Sequence, residues 1–96
     1  MSAPVLPGTE SYEGSPTTEE RMRVLFATLL QVNPALVDDQ TRPATLDRWD
    51  SMQHLILVAG FEEEFGIDID PEEAVDMYES FATFARIARG KLEQRR

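Results

Sequence analysis

The sequence predicts an all-α fold, a small four-helix bundle with three principal helices and a short third helix. Apolar residues recur at helical spacing in separate segments, and no segment shows sustained alternation of period two. Residues typical of helix starts and helix stops flank these segments. A chain of 96 residues has room for one domain, so the helices are expected to share one core.

The first helix is predicted to begin at Thr17 and to stop at Asn33-Pro34. Thr17 and Glu20 have capping-box spacing, and proline disfavours helix at the residue before it. The apolar residues that follow at helical spacing are Met22, Leu25, Phe26, Leu29 and Leu30. Residues 1–16 hold three prolines and few apolar residues, which predicts a flexible leader ahead of a folded domain over residues 17–96.

A long connection is predicted over residues 34–49. It contains Pro43 and scattered apolar residues, among them Trp49 at its end. A connection of this length in a compact domain is usually functional or packed by its own side chains.

The second helix is predicted from Asp50 or Ser51 to Phe65, with Gly66 as its left-handed stop. The third helix should begin at Asp70, where a capping residue is followed by proline and then by two acids. The fourth helix should begin near Ser80. Its apolar residues are Phe81, Phe84, Ala85, Ile87, Ala88 and Leu92.

Composition excludes several classes of site. The chain has no cysteine and one histidine, which excludes disulfides, thiolate sites and histidine clusters. No metal site is expected, because the acidic segment from Asp68 lacks the glycine of a calcium loop and contains Pro71. A net charge of −9 argues against nucleic acid as a partner. No membrane span and no signal peptide are visible, so a cytoplasmic location is expected. The chain is also expected to be a monomer.

Ser51 is the principal candidate for a functional residue. It follows Asp50 and opens the second helix, where unpaired backbone N–H groups and a partial positive charge can stabilise a phosphate. The simpler interpretation is that Asp50 or Ser51 serves only as a helix cap.

The surrounding segment carries a more specific pattern. It reads RWDSMQHLILV over residues 48–58 and FEEEFGIDI over residues 61–69. This segment resembles the attachment segment of acyl carrier proteins, in which Asp-Ser-Leu precedes an apolar helix and an acidic run ends in Phe-Gly-Ile. The resemblance extends in layout over residues 17–92 and is dense over residues 49–71.

The resemblance implies a cofactor and a set of partners. Ser51 would carry 4′-phosphopantetheine, added from coenzyme A by a phosphopantetheinyl transferase that uses magnesium. The arm would hold acyl or aminoacyl groups as thioesters, loaded by a ligase and passed to downstream biosynthetic enzymes. The match rests on Asp50, Ser51 and, by conservative replacement, Met52. Gln53 and Ile56 stand where fatty-acid carriers usually have acids, which suggests a dedicated carrier of a specialised pathway.

The second helix presents two apolar faces. The face that contains Leu57, Val58, Phe61 and Phe65 is assigned to the core. The other face, which we call the apolar stripe, consists of Met52, Leu55, Ile56 and Ala59. It runs into Glu62 and Glu63, whose charges disfavour burial. The stripe and these two acids are predicted to dock partner proteins. The alternative is that the connection over residues 34–49 covers the stripe.

His54 lies one turn beyond Ser51 and has two interpretations. It is either an ordinary helical histidine with its ring nitrogens satisfied or a neighbour of the arm's phosphate. An enzyme with Ser51 as nucleophile and His54 as base is disfavoured, because the domain is small and lacks a G-x-S-x-G motif. The alternative function is an unmodified acidic helical adaptor protein.

Overall fold

The computed structural model describes residues 17–94 and contains four α-helices and two 3₁₀ turns in that part of the chain. The helices are α1 (Thr18–Leu30), α2 (Ser51–Phe65), α3 (Pro71–Met77) and α4 (Phe81–Gln94). The 3₁₀ turns span Pro34–Leu36 and Pro43–Thr45. The predicted all-α fold with a short third helix is confirmed, and no strand occurs among the described residues. The leader predicted over residues 1–16 lies outside them.

Helix α1 begins where its sequence predicts and ends earlier. The Thr17 hydroxyl accepts a hydrogen bond from the Glu20 N–H at 3.1 Å, which is half of the expected capping box. The other half is missing, because the Glu20 carboxylate pairs with Arg23 instead of turning back. The helix ends at Leu30, since Gln31 adopts the left-handed conformation with φ of 60°. Asn33 instead caps the first 3₁₀ turn through the Ala35 N–H.

The connection between α1 and α2 is packed onto the bundle. Val37 and Trp49 are buried in the core. The buried Thr41 hydroxyl accepts from the Asp38 N–H at 2.9 Å and donates to the Leu36 carbonyl at 3.1 Å. The Thr41 carbonyl accepts from the Phe81 N–H at 2.7 Å. The connection is therefore fastened to the beginning of α4.

Helices α2 and α3 have the ends that their sequences predict. Asp50 caps α2 by accepting from the Gln53 N–H at 2.8 Å, and Gly66 ends it in the left-handed conformation. Pro71 occupies the first turn of α3, and the Glu73 carboxylate accepts from the Asp70 N–H at 2.9 Å. Short-range caps therefore fix where both helices begin.

The core is dominated by aromatic rings that meet edge to face. Phe26 of α1 packs against Trp49 and Phe81, each with ring centroids 4.9 Å apart. Phe84 of α4 packs against Phe61 of α2 at 4.7 Å. These separations lie within the range favoured by aromatic pairs. The largest fully buried side chains are Trp49, Phe26, Phe61, Phe84, Met22, Leu30, Leu57 and Met77.

Two glycines offer a matched test of this backbone. Gly66 has a φ of 64°, so Gly66→Ala should lower the free energy of unfolding by about 1 kcal/mol. Gly90 lies within α4, where the methyl group of an alanine would meet nothing within 4 Å beyond its chain neighbours and the backbone of its own helix. Gly90→Ala should therefore raise the free energy of unfolding by about 0.5–1 kcal/mol. Urea denaturation of the two variants measures both changes. If both substitutions changed the free energy of unfolding by the same amount in the same direction, the assignment of Gly66 as the left-handed end of α2 would be contradicted.

Candidate functional site

Ser51 is the first residue of α2 and is exposed. Its position follows from the residues on either side. Asp50 is an extended cap residue with φ of −109°, and Trp49 before it is buried with 1% of its surface exposed. The buried indole anchors the chain, and the cap turns it outward into the helix. Within residues 17–94, no group hydrogen-bonds to the Ser51 hydroxyl, which leaves it available to another molecule.

The backbone at this end of α2 retains hydrogen-bonding capacity. Asp50 accepts from the Gln53 N–H through its carboxylate and from the His54 N–H through its carbonyl, each at 2.8 Å. The N–H groups of Ser51 and Met52 have no partner in the described part of the chain. These two donors and the positive end of the helix favour an anion attached to the Ser51 oxygen.

The apolar stripe is open to solvent beside Ser51. Met52, Leu55 and Ile56 are 68%, 66% and 47% exposed, and Ala59 is exposed as well. The connection over residues 34–49 leaves the stripe uncovered, which is the first of the two arrangements that the sequence allows. On the opposite face of α2, Leu57, Phe61 and Phe65 are buried and Val58 is partly buried.

The two acids at the end of the stripe differ in their surroundings. Glu63 is exposed. Glu62 is half-buried, and its carboxylate accepts from the Ile69 N–H at 2.9 Å. Glu62 therefore fastens the link between α2 and α3, a structural task that its sequence position did not indicate. Glu63 presents its charge to solvent.

His54 is buried, with 6% of its surface exposed, and both of its ring nitrogens have protein partners. The Trp49 indole N–H lies 3.0 Å from Nδ1 and can only donate. Nδ1 must therefore accept, so Nε2 carries the proton and donates to the Ala74 carbonyl at 2.7 Å. This geometry matches the interpretation of His54 as a satisfied helical histidine, and it leaves neither ring nitrogen for a phosphate on Ser51.

Burial also affects the charge of His54. Loss of hydration lowers the pKa of its ring below the ordinary value of 6.5, and the hydrogen bond to Ala74 raises it by a smaller amount. The ring is therefore neutral at pH 7. Protonation would place a hydrogen on Nδ1, opposite the Trp49 N–H, and would remove that hydrogen bond.

Sequence reasoning missed two contributors to the site. Trp49 precedes Asp50 directly and has His54 five residues later, a spacing that could have indicated an indole bonded to the ring one turn into the helix. The Ala74 carbonyl lies 20 residues from His54, and no sequence signal marks a backbone acceptor at that separation.

Comparison with known families finds no family that matches this chain, and no curated protein matches it either. None of the helices described is long and apolar enough to cross a membrane. Residues 17–94 contain no group of three or more histidine, cysteine or carboxylate side chains placed to hold a metal ion.

The neutral state of His54 predicts a pH dependence of stability. A folded pKa below the unfolded one means that the unfolded chain binds more protons. The stabilisation is therefore complete above about pH 6.5 and is lost as the pH falls toward the folded pKa. Between pH 7 and 5, the free energy of unfolding of the natural protein should fall more than that of His54→Gln. Urea titrations at several pH values measure this difference.

The carboxylates are common to both proteins and cancel in that comparison. Glu20 and Glu73 have lowered pKa values, chiefly through hydrogen bonds to Arg23 and to the Asp70 N–H respectively. Their contributions are lost at lower pH in either protein. Parallel pH profiles for the natural protein and His54→Gln would contradict a neutral, buried His54.

The two faces of α2 predict opposite responses to a new charge. Ile56→Glu should change the free energy of unfolding by no more than about 0.5 kcal/mol, because Ile56 is exposed. Phe61→Glu should unfold the domain, because an unpaired charge buried in the core costs several kcal/mol. Circular dichroism melts distinguish them. A stable Phe61→Glu protein beside an unfolded Ile56→Glu protein would reverse the assignment of the faces.

Proposed function

We propose that the chain is a carrier protein whose Ser51 bears a 4′-phosphopantetheine arm, and that it performs no catalysis itself. The observation that carries this proposal is the exposed Ser51 hydroxyl at the start of α2, next to the uncovered apolar stripe. The resemblance of residues 48–69 to the attachment segment of acyl carrier proteins supports the same function.

The residues at the start of α2 suit a phosphate ester chemically. The Ser51 oxygen would be the point of attachment, and the N–H groups of Ser51 and Met52 would donate to the phosphate oxygens. Asp50 would act through its cap, which holds the first turn in place. His54 would act indirectly, by holding the Trp49 side chain through a hydrogen bond, because both of its ring nitrogens already have protein partners.

Attachment is a phosphoryl transfer from coenzyme A that a phosphopantetheinyl transferase would catalyse. The Ser51 oxygen would form a bond to the phosphorus that bears the pantetheine. The pyrophosphate bond would break, adenosine 3′,5′-bisphosphate would leave, and the hydroxyl proton would pass to a base of the transferase. Once bound, the arm supplies a terminal thiol that holds an acyl or aminoacyl group as a thioester.

The apolar stripe and its charged surroundings would receive the partner enzymes, namely the transferase, a loading ligase and downstream biosynthetic enzymes. Residues 49–79 contain no lysine or arginine. Arg48, just before them, is directed away toward the Leu30 carbonyl and Gln31. A partner with a basic rim around an apolar centre would gain association rate from this field.

Intact mass after incubation with coenzyme A, magnesium and a broad-specificity phosphopantetheinyl transferase tests the proposal. The natural protein should gain the mass of one phosphopantetheine group, and peptide mapping should place it on Ser51. Ser51→Ala should gain nothing while keeping its circular dichroism spectrum, because Ser51 is exposed.

Ser80 provides the matched control, because it also stands at the start of a helix but is buried and bonded to the Thr83 N–H. Ser80→Ala should gain the group as the natural protein does. A natural protein that stays unmodified would favour the acidic adaptor, which would use the apolar stripe without an arm.

A further inference from the structure

An aromatic cluster of Trp49, His54, Tyr78 and Phe84 fills the interior next to the first turn of α2. The His54 and Tyr78 rings have centroids 4.8 Å apart, and Trp49 lies 5.8 Å from Tyr78. Phe84 closes the cluster from α4, at 5.8 Å from His54. These four rings lie where the first turn of α2, the end of α3 and α4 meet, and Trp49 and His54 are close to Ser51 in sequence.

Polar contacts hold α3 against this cluster at two adjacent residues. The His54 ring donates to the Ala74 carbonyl at 2.7 Å. Glu73, the residue before it, pairs with Lys91 of α4 at 3.0 Å. Moving α3 away from α2 would break the bond between the buried His54 ring and the partly buried Ala74 carbonyl, which is unfavourable. The junction is therefore both filled and fastened.

Two surface grooves within residues 17–94 lie elsewhere. A groove of about 890 Å³ runs between α1, the first connection and α4, and it is lined in part by Glu19, Asp38 and Arg86. A second of about 310 Å³ lies between α1 and the far end of α2. Neither groove is lined by Ser51 or by a residue of α3.

We infer that the cargo stays outside the helical bundle, and that this carrier serves acyl groups with little apolar surface. The inference rests on the proposed function. An alkyl chain gains stability for every methylene removed from water, so a carrier of long chains needs an apolar space within reach of its arm. Here that space is taken by Trp49 and its neighbours. Short or polar acyl groups lose little by remaining in water.

Alkyl chains attached at position 51 test this inference independently of any transferase. The natural chain has no cysteine, so Ser51→Cys offers a unique thiol. It is alkylated with iodoacetamides that carry a two-carbon or an eight-carbon chain on a flexible spacer of pantetheine length. The two adducts should melt within about 2 °C of each other. A melting temperature about 10 °C or more higher for the longer chain would mean that it is buried, and would overturn the inference.

A variant with an engineered cavity provides the positive control for the same experiment. Tyr78 is partly buried at the edge of the cluster, so Tyr78→Ala in the Ser51→Cys background should open space for the longer chain and make the melting temperature rise with chain length. Leu25→Ala is the matched control, because Leu25 is also partly buried but lines the distant second groove. It should show no dependence on chain length.

The outcomes separate the inference from the proposed function. If the melting temperature of the Ser51→Cys adducts rises with chain length while Tyr78 is retained, the inference is overturned, whether or not the transferase modifies Ser51. An unmodified natural protein overturns the proposed function, whatever the alkylated adducts show. If Tyr78→Ala fails to fold, the comparison of the two Ser51→Cys adducts still decides.

Discussion

The placement of Ser51 depends on two hydrogen bonds made by His54, a neutral histidine buried at the beginning of α2. His54 receives the Trp49 indole N–H and donates to the Ala74 carbonyl. One side chain thereby joins the end of the connection between α1 and α2, the first turn of α2 and the middle of α3. The bond to Trp49 fixes where the chain leaves the core, and Asp50 then turns it into the helix. Ser51 is exposed because the residue two positions before it is so firmly held.

This arrangement lets one helix serve two purposes. Leu57 and Phe61 bury the inner face of α2, while Met52 and Leu55 leave the outer face apolar and exposed. An exposed apolar surface normally weakens the specification of a fold, since the helix could turn and bury it instead. His54 opposes that turn, because rotating α2 would withdraw its ring from the buried Trp49 indole and from the partly buried Ala74 carbonyl. A polar group in the core thus sets the rotation of the helix.

The sequence predicts the local features of this structure and misses the distant ones. Asp50, Gly66 and Pro71 mark helix ends correctly, because caps and stops depend on neighbouring residues. The faces of α2 follow from periodicity and from the acids that end the stripe. The sequence does not show that Glu20 pairs with Arg23 rather than closing its capping box, because one carboxylate has two competing local partners. It also does not show the bond from His54 to Ala74, since contacts between separate helices leave no periodic signal.

Glu62 and Glu63 show how contacts that the sequence does not reveal change the interpretation of a candidate docking residue. Glu62 and Glu63 are neighbours in sequence and equal in chemistry, yet Glu62 accepts the Ile69 N–H and Glu63 faces solvent. Truncating Glu62 to alanine removes its charge and also the acceptor of the Ile69 N–H, so its effect on a partner would mix electrostatics with structure. Glu63 carries the same charge without that bond. Truncation of Glu63 therefore tests charge alone, whereas truncation of Glu62 changes charge and structure together. The same distinction holds at the attachment point, where Asp50 contributes both a negative charge and the cap of α2.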